Sequence, residues 1–316
     1  FPTVAVRAMA VSPTFIQYPT DLMYYESGGR LAALLFAEAD VVHLMNTLAG
    51  LRRVNVRNLN KPTLLHHHGT RFREESNSIA AQARDLGVVQ MVSTLDLEVL
   101  EPDMRWLPSP TNVSDLTAIR RREWFRRGSD SVVRIAHSPT NRLLKSTEAV
   151  VKAVDTLRAR HRKIEFDLIE NVTWDECLAR KARADIFIDQ LQLGYGNNAV
   201  EAWSMGIPVI AGVSEKVVPG TRKLMLKRFG RLPFYEATER TLTKRLDELV
   251  GSPELRAEYG ALGQEHVLRW HDEKPVADLL YEVYSSLAPA AVHRDEHRWK
   301  SREAFEAIQR TTVAGE

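Results

Sequence analysis

Short apolar runs bounded by polar residues recur along the chain and alternate with segments whose apolar positions repeat at helical spacing. Residues 41–45, 63–68, 88–93 and 104–107 form one such series, and residues 132–137, 164–169, 186–188 and 209–211 a second. Helix-patterned stretches lie between and after them at 29–39, 74–85, 150–161, 199–205, 238–250, 253–270 and 275–287. Near-continuous apolar strands alternating with amphipathic helices predict parallel sheets closed by crossover helices, an α/β class. Proline at positions 2, 13 and 19 breaks any long element in the first thirty residues. The pattern divides into residues 1–128, residues 129–290 and a strongly polar tail, 291–316, read as a terminal helix. The boundary is placed near Gly128-Ser129, where a basic cluster marks a shift in composition.

Composition narrows the class without naming a chemistry. The 316 residues are 44% hydrophobic and 27% charged, with a net charge of +2. That is ordinary for a globular enzyme and sets up no global field demanding nucleic acid. A single cysteine, Cys177, excludes an internal disulfide framework and suits a reducing, cytoplasmic setting. No apolar run reaches the roughly 20 residues of a membrane helix, since Glu38 and Asp40 interrupt residues 31–45. No signal peptide is recognised, and the chain opens on Phe1.

The most informative stretch is 184–213, ADIFIDQLQLGYGNNAVEAWSMGIPVIAGV. Asp185 and Asp189 bound the apolar triplet Ile186-Phe187-Ile188. A turn follows, Gly194-Tyr195-Gly196-Asn197-Asn198, then a helix from Ala199 to Met205, stopped by Gly206 and Pro208. Glycines let backbone approach a ligand, and free N–H groups at a helix start favour a phosphate. Glu201 is expected in the first turn of that helix. Two readings stand: it accepts hydrogen bonds from ligand hydroxyls, or it complements the helix dipole.

These residues resemble the donor-binding domain of GT-B glycosyltransferases, the retaining group-4-like branch. Gly194, Tyr195, Gly196, Glu201-Ala202, Gly206, Pro208 and Val209 carry the resemblance. It implies two Rossmann-like doubly wound domains facing a cleft, with an acceptor-side domain first and a nucleotide-sugar domain second. The family often has a further glutamate eight positions before Glu201, where this chain has Leu193. Its first strand and glycine loop are not recognised in the opening residues. In the family the first loop of the second domain carries an arginine and a lysine that bind the donor diphosphate. Arg142 and Lys145 match these in kind, where fixed cations would stabilise a leaving diphosphate. Glu170 and Asn171 stand where the family recognises the base. Gly196, Asn197, Asn198 and Ala199 are expected to offer backbone N–H groups.

Other polar stretches admit blander roles. Consecutive histidines His66, His67 and His68 alternate faces of a strand, so they do not share one metal. His68 matches a family histidine that lines the reaction cleft, while His66 reads as packed core. Arg71, just beyond, faces acceptor or donor phosphate or solvent. Asp96-Leu97-Glu98 is the nearest approach to an Asp-x-Asp metal motif and reads better as a helix start with Thr94 as N-cap. Thr173 and Glu176 form a capping box, and Cys177 reads as a small core residue. The cluster from Arg120 to Gly128 is either a nucleic-acid contact or the solvated face of a helix with Trp124 and Phe125 buried.

The expectation is a glycosyltransferase that moves a sugar from a nucleotide diphosphate sugar to an acceptor hydroxyl. Retention is implied, and no metal or resident cofactor is called for. The acceptor would be a glycan, a lipid-linked sugar or a modified DNA base. The alternatives are the same chemistry on a hydroxylated DNA base, or a non-catalytic nucleotide-sugar-binding module.

Overall fold

The computed structural model describes residues 9–10, 22–23, 35–46, 48, 61–127, 131–160 and 163–289. The expected boundary at Gly128-Ser129 and the terminal helix at 291–316 lie outside the described residues. Packing of the Cα trace divides the chain into two compact units, one of residues 1–91 and 278–316, the other of residues 92–277.

A minimal parallel pair, β1 (Met9–Ala10) and β2 (Leu22–Met23), precedes the main elements. A four-stranded sheet then has the order β3 (Val42–Met45), β4 (Thr63–His67), β5 (Val89–Val92), β6 (Arg105–Trp106). β3 and β4 pair in parallel, with Val42 opposite Thr63. α1 (Gly69–Asp85) follows β4, and Leu65, Ala83 and Val88 pack together beneath it. The sequence places the start of this helix at residue 74. The structure starts it at Gly69, which takes a left-handed φ of 69°, and a non-helical Glu75 kinks it at the expected position. Short α2 (Leu95–Leu100) begins after Thr94 as expected, but the Thr94 hydroxyl makes no cap bond.

The second unit carries α3 (Val113–Arg127) and a six-stranded sheet. Its strands are β7 (Val133–His137), β8 (Ile164–Leu168), β9 (Ile186–Ile188), β10 (Leu193–Gly194), β11 (Val209–Val213) and β12 (Tyr235–Glu236). β7 lies between β8 and β9, β11 follows β9, and β12 pairs with β11. All of these pairings are parallel except that of β10, which runs antiparallel to the end of β11. The helices are α4 (Thr147–Ala159), α5 (Trp174–Lys181), α6 (Asn197–Ser204), α7 (Thr221–Phe229), α8 (Leu242–Gly251), α9 (Pro253–Trp270) and α10 (Glu273–Leu287). α10 starts just before the division at Ala277.

Strand residues alternate between two cores, the mark of a sheet covered on both faces. Ile135, Ile186, Ile188 and Ile210 pack with Val150, Val154, Leu157 and Leu246 of α4 and α8. Ala136, Phe187, Val209 and Ala211 face the other way, against Leu178, Val200, Trp203 and Val267 of α5, α6 and α9. α9 lies close on α6, because Gly263 leaves room for the indole of Trp203: a Cβ there would stand 2.0 Å from it. Chain order sends β8 to one side of β7 and β9 to the other. The carboxyl ends of β7 and β9 therefore flank a topological switch point, where open α/β sheets bind ligands.

Candidate functional site

The loop after β7 is shaped by its own side chains. Asn141 accepts the Leu144 N–H on its side-chain oxygen, and Lys145 and Thr147 donate backbone N–H groups to Asn141 and Arg142 carbonyls. Ser146 ends the turn in the left-handed region, φ 51°, and its hydroxyl donates to Glu239. This one turn brings Arg142 and Lys145 to the carboxyl edge of the sheet. Below it His137, almost fully buried, bridges the Ile188 carbonyl at 2.8 Å and the Thr147 hydroxyl at 2.9 Å. Burial lowers its pKa, so the neutral ring donates to the carbonyl and accepts from the hydroxyl. It ties β7, β9 and α4 together.

Arg142 and Glu170, both expected at the site, meet there. The guanidinium donates to Glu170 at 2.8 Å and to Glu148 at 2.7 Å. The bonds to Glu148, followed by the charge of Glu170, raise its pKa further above that of a free arginine. Asn171 follows at φ 55° and is exposed.

Lys145 has a partner that the sequence reading did not assign. Asp189, directly after β9, accepts from the Lys145 ammonium at 2.5 Å with one oxygen and from the Gly196 N–H at 2.7 Å with the other. Its side chain is 1% exposed, and that of Lys145 13%. A signal was present: an aspartate closing an apolar triplet at the carboxyl end of a strand.

Gly196 is the N-cap of α6, so the helix starts at Asn197, two residues before its expected start. Glu201 accordingly lies in the second turn rather than the first, which removes the dipole-complement reading. The Gly196 N–H is taken by Asp189, and the Ala199 N–H donates to the Gly196 carbonyl. The N–H groups of Asn197 and Asn198 have no acceptor among the described residues, and these two remain as the open amides. The Asn198 side chain is committed: its amide donates to the Ser138 carbonyl at 2.9 Å, and its oxygen accepts from Ser138 and Lys181.

Glu201 points into a polar pocket of the interior. Its oxygens accept from the ammonium of Lys181 and from the indole N–H of Trp174, the latter at 3.1 Å. Lys181 is completely buried and also stands 4.8 Å from the Phe187 ring centre. Thr173 caps α5 as the sequence indicated, accepting the Glu176 N–H. Cys177 sits half-buried in that helix, and burial raises its thiol pKa.

Tyr195 belongs to the core rather than to the open turn. Its hydroxyl lies 3.0 Å from His266 Nε2 and 3.1 Å from His271 Nε2, and His271 Nδ1 donates to the Ser109 carbonyl. That last bond sets the tautomers: Tyr195 donates to His271 and accepts from His266. Leu193, where the resembled family carries its other glutamate, is held in β10 opposite Val213.

In the first unit His68 is the N-cap of α1, and its side chain makes no cap hydrogen bond. Its backbone N–H donates to Asn46 at 2.6 Å, and its ring packs 4.1 Å from that of His66. Burial, followed by the nearby His43 and His67, lowers its pKa to about 4, leaving a neutral imidazole at pH 7. His67 stacks on Phe72 and bonds Gln90. Arg71 lies exposed in α1 and pairs with Glu75 at 3.6 Å. Among the described residues no group of three or more His, Cys, Asp or Glu side chains is placed to hold a metal ion.

The basic cluster divides. Arg120 and Arg127 donate to carbonyls of Ala184 and Val132, and each guanidinium also lies over the Trp124 ring, 3.9 and 4.2 Å from its centre. Arg122, Arg126 and Arg183 surround the buried Glu123. The expectation that Trp124 and Phe125 are buried is not met: Phe125 is 89% exposed and Trp124 is also on the surface. Val113, Leu116 and Ile119 dock this helix on the core and Arg120 and Arg127 bond carbonyls beneath it, so Phe125 is left on the outer side.

No family model matches the chain, and no curated protein matches it. Solved structures do. A sucrose-phosphate synthase from Thermosynechococcus elongatus is 15% identical over 82% of this chain and 77% of its own, with a TM-score of 0.58. HepE from Anabaena, bound to UDP and glucose, is 12% identical over 85% and 86%, with a TM-score of 0.57. An α-glucosyltransferase in complex with UDP and a 13-mer DNA is 10% identical over 84% and 85%, with a TM-score of 0.57. The chain has the GT-B glycosyltransferase fold, with two parallel-strand sheets.

Proposed function

We propose that this chain is a glycosyltransferase that moves a sugar from a nucleotide diphosphate sugar to an acceptor hydroxyl. The observation that carries the proposal is the convergence, at the β7–β9 switch point, of Arg142, Lys145 and the open N–H groups of Asn197 and Asn198. Two cations and a helix start suit a diphosphate, and they would offset the charge that develops as the glycosidic bond breaks. Glu170 and Asn171, at the end of β8, take the nucleoside side, and Glu201 the donor hydroxyls. Gly196 and Ala199 shape the turn that aims the open amides. His68, neutral at pH 7, and Arg71 belong to the acceptor side. UDP in the bound neighbours makes a uridine nucleotide the first donor to try.

Transfer runs with retention and needs no divalent ion or resident cofactor in this reading, because side-chain cations occupy the diphosphate position. Residues 1–128 would form the acceptor-side domain, residues 129–290 the donor domain and residues 291–316 a tail. No helix among the described residues is long and apolar enough to cross a membrane. The lone half-buried thiol suits a cytoplasmic setting.

The test is nucleotide release from a panel of UDP-, GDP-, ADP- and dTDP-sugars, with and without chelator, and the anomeric product read by NMR. Release from one donor, insensitive to chelator and with retained configuration, is expected. Absence of both turnover and binding across the panel overturns the proposal, and binding without turnover makes the chain a nucleotide-sugar-binding module. The acceptor is a glycan or a lipid-linked sugar. A hydroxylated DNA base is the less favoured acceptor, since Arg120 and Arg127 are spent on internal carbonyls. Salt-sensitive duplex binding would restore it.

A further inference from the structure

We propose that Asp189 is a positioning residue for the diphosphate site: its buried carboxylate fixes the Lys145 ammonium beside the start of α6, so that one side-chain cation and two backbone N–H groups form a single anion-binding surface. The inference rests on the glycosyl-transfer reading above and adds a residue to it.

A carboxylate in an anion site is at first sight misplaced, because it repels the ligand. Burial resolves the difficulty. Asp189 is 1% exposed and has both oxygens occupied, one by Lys145 at 2.5 Å and one by Gly196 at 2.7 Å. Its own N–H donates to the Ile210 carbonyl at 2.9 Å, so its backbone is part of the sheet. The carboxylate is therefore a rigid fixture beneath the site, while Lys145 keeps the more exposed side of the pair.

Two consequences follow from that geometry. A lysine on a four-carbon stem is ordinarily spread over many rotamers, and a rigid buried partner removes that freedom before a ligand arrives. The second oxygen acts on the backbone: by holding the Gly196 N–H it sets where α6 begins, and with it the direction of the open Asn197 and Asn198 amides. Leu193 is held in β10, so the acidic group this chain brings to the glycine turn is Asp189.

The test is a double-mutant cycle on the full chain, with inorganic pyrophosphate and UDP as probes in calorimetry. Lys145→Ala is expected to weaken both probes about tenfold. Asp189→Asn keeps an acceptor for the Gly196 N–H but lacks the charge that anchors Lys145. It is expected to weaken both probes about fivefold, although it removes a negative charge from an anion site. The double variant should bind no worse than Lys145→Ala alone, because Asp189 acts through Lys145.

Tighter or unchanged binding by Asp189→Asn overturns the inference, as does an effect that adds to that of Lys145→Ala. If Lys145→Ala itself binds both probes like the wild type, the diphosphate reading fails instead, and the two failures are told apart. Should Asp189→Asn not fold, Asp189→Glu replaces it. It keeps the charge one methylene out of register with both Lys145 and the Gly196 N–H and is expected to weaken both probes, and binding like that of the wild type overturns the inference.

Discussion

Glu201 and Lys181, twenty residues apart on consecutive helices, form an ion pair in which the lysine side chain is wholly buried and the glutamate 14% exposed. The Trp174 indole and the Asn198 amide oxygen complete it. Glu201 is thus bound to the interior before any sugar reaches it. Glu201→Ala would strand a buried ammonium, so a loss of activity in that variant would mix chemistry with folding. The expected cost is about 3–5 kcal/mol, read by urea denaturation. Pairing Glu201→Gln with Lys181→Met should recover most of that loss, and donor turnover of the pair then reports on ligand contact alone.

Arg142 is shared between Glu148, which is largely exposed, and Glu170. A diphosphate must compete with both carboxylates. Glu148→Gln should leave stability within about 0.5 kcal/mol and lower the donor KM, while Arg142→Ala should raise it about tenfold. Steady-state kinetics on the donor found in the panel checks both. An unchanged KM in both variants would remove Arg142 from the site.

The Tyr195–His266–His271 network makes stability depend on pH. Burial lowers the His271 pKa from the usual 6.5 to about 4 and lowers that of His266 as well. Between pH 6.5 and 4 the unfolded chain binds protons that the folded chain refuses. The contribution is therefore full above pH 6.5 and drains as pH falls toward 4, by about 1.4 kcal/mol per pH unit for each such histidine. Urea midpoints at pH 7.5 and pH 5 should show the fall, and His271→Asn should reduce it by one histidine's share while the other buried histidines keep the rest. A slope unchanged in His271→Asn would mean that the ring is not held neutral.

Tyr195→Phe separates the core role of this residue from its place in the glycine turn. It leaves His271 Nε2 without its donor and is expected to cost about 1–3 kcal/mol. The donor KM should stay as in the wild type, since the ring faces Trp203 and the two histidines. A large change in KM with stability intact would place Tyr195 at the ligand.

Gly263→Ala places a methyl group against Trp203, whose indole has no room to shift between α6 and α9. Overpacking of this kind costs about 1–3 kcal/mol. The thermal midpoint should fall while donor affinity at the opposite end of α6 holds.

Eight of the twelve described strands and most of the helices were legible in the sequence because each depends on local pattern. Ile186-Phe187-Ile188 reads as a doubly buried strand wherever it sits, the run from Ala199 reads as a helix that in the structure begins two residues earlier, and Thr173 caps α5 through a residue three positions on. Arg142 and Lys145 stand out through a resemblance and a spacing. Their partners were not legible, because Glu170 and Asp189 lie 28 and 44 residues away and meet them only when β8 and β9 take their places on either side of β7. The same holds for Glu201, whose partner Lys181 is an ordinary helix-end lysine until α5 and α6 pack on one sheet face. Phe125, apolar by identity, stays in water because the inner face of α3 is filled by Val113, Leu116 and Ile119 and by the bonds of Arg120 and Arg127. Local periodicity determines which residues become strand, helix or turn. Which charge faces which is decided by strand order, because pairing across a sheet joins positions that chain distance keeps apart.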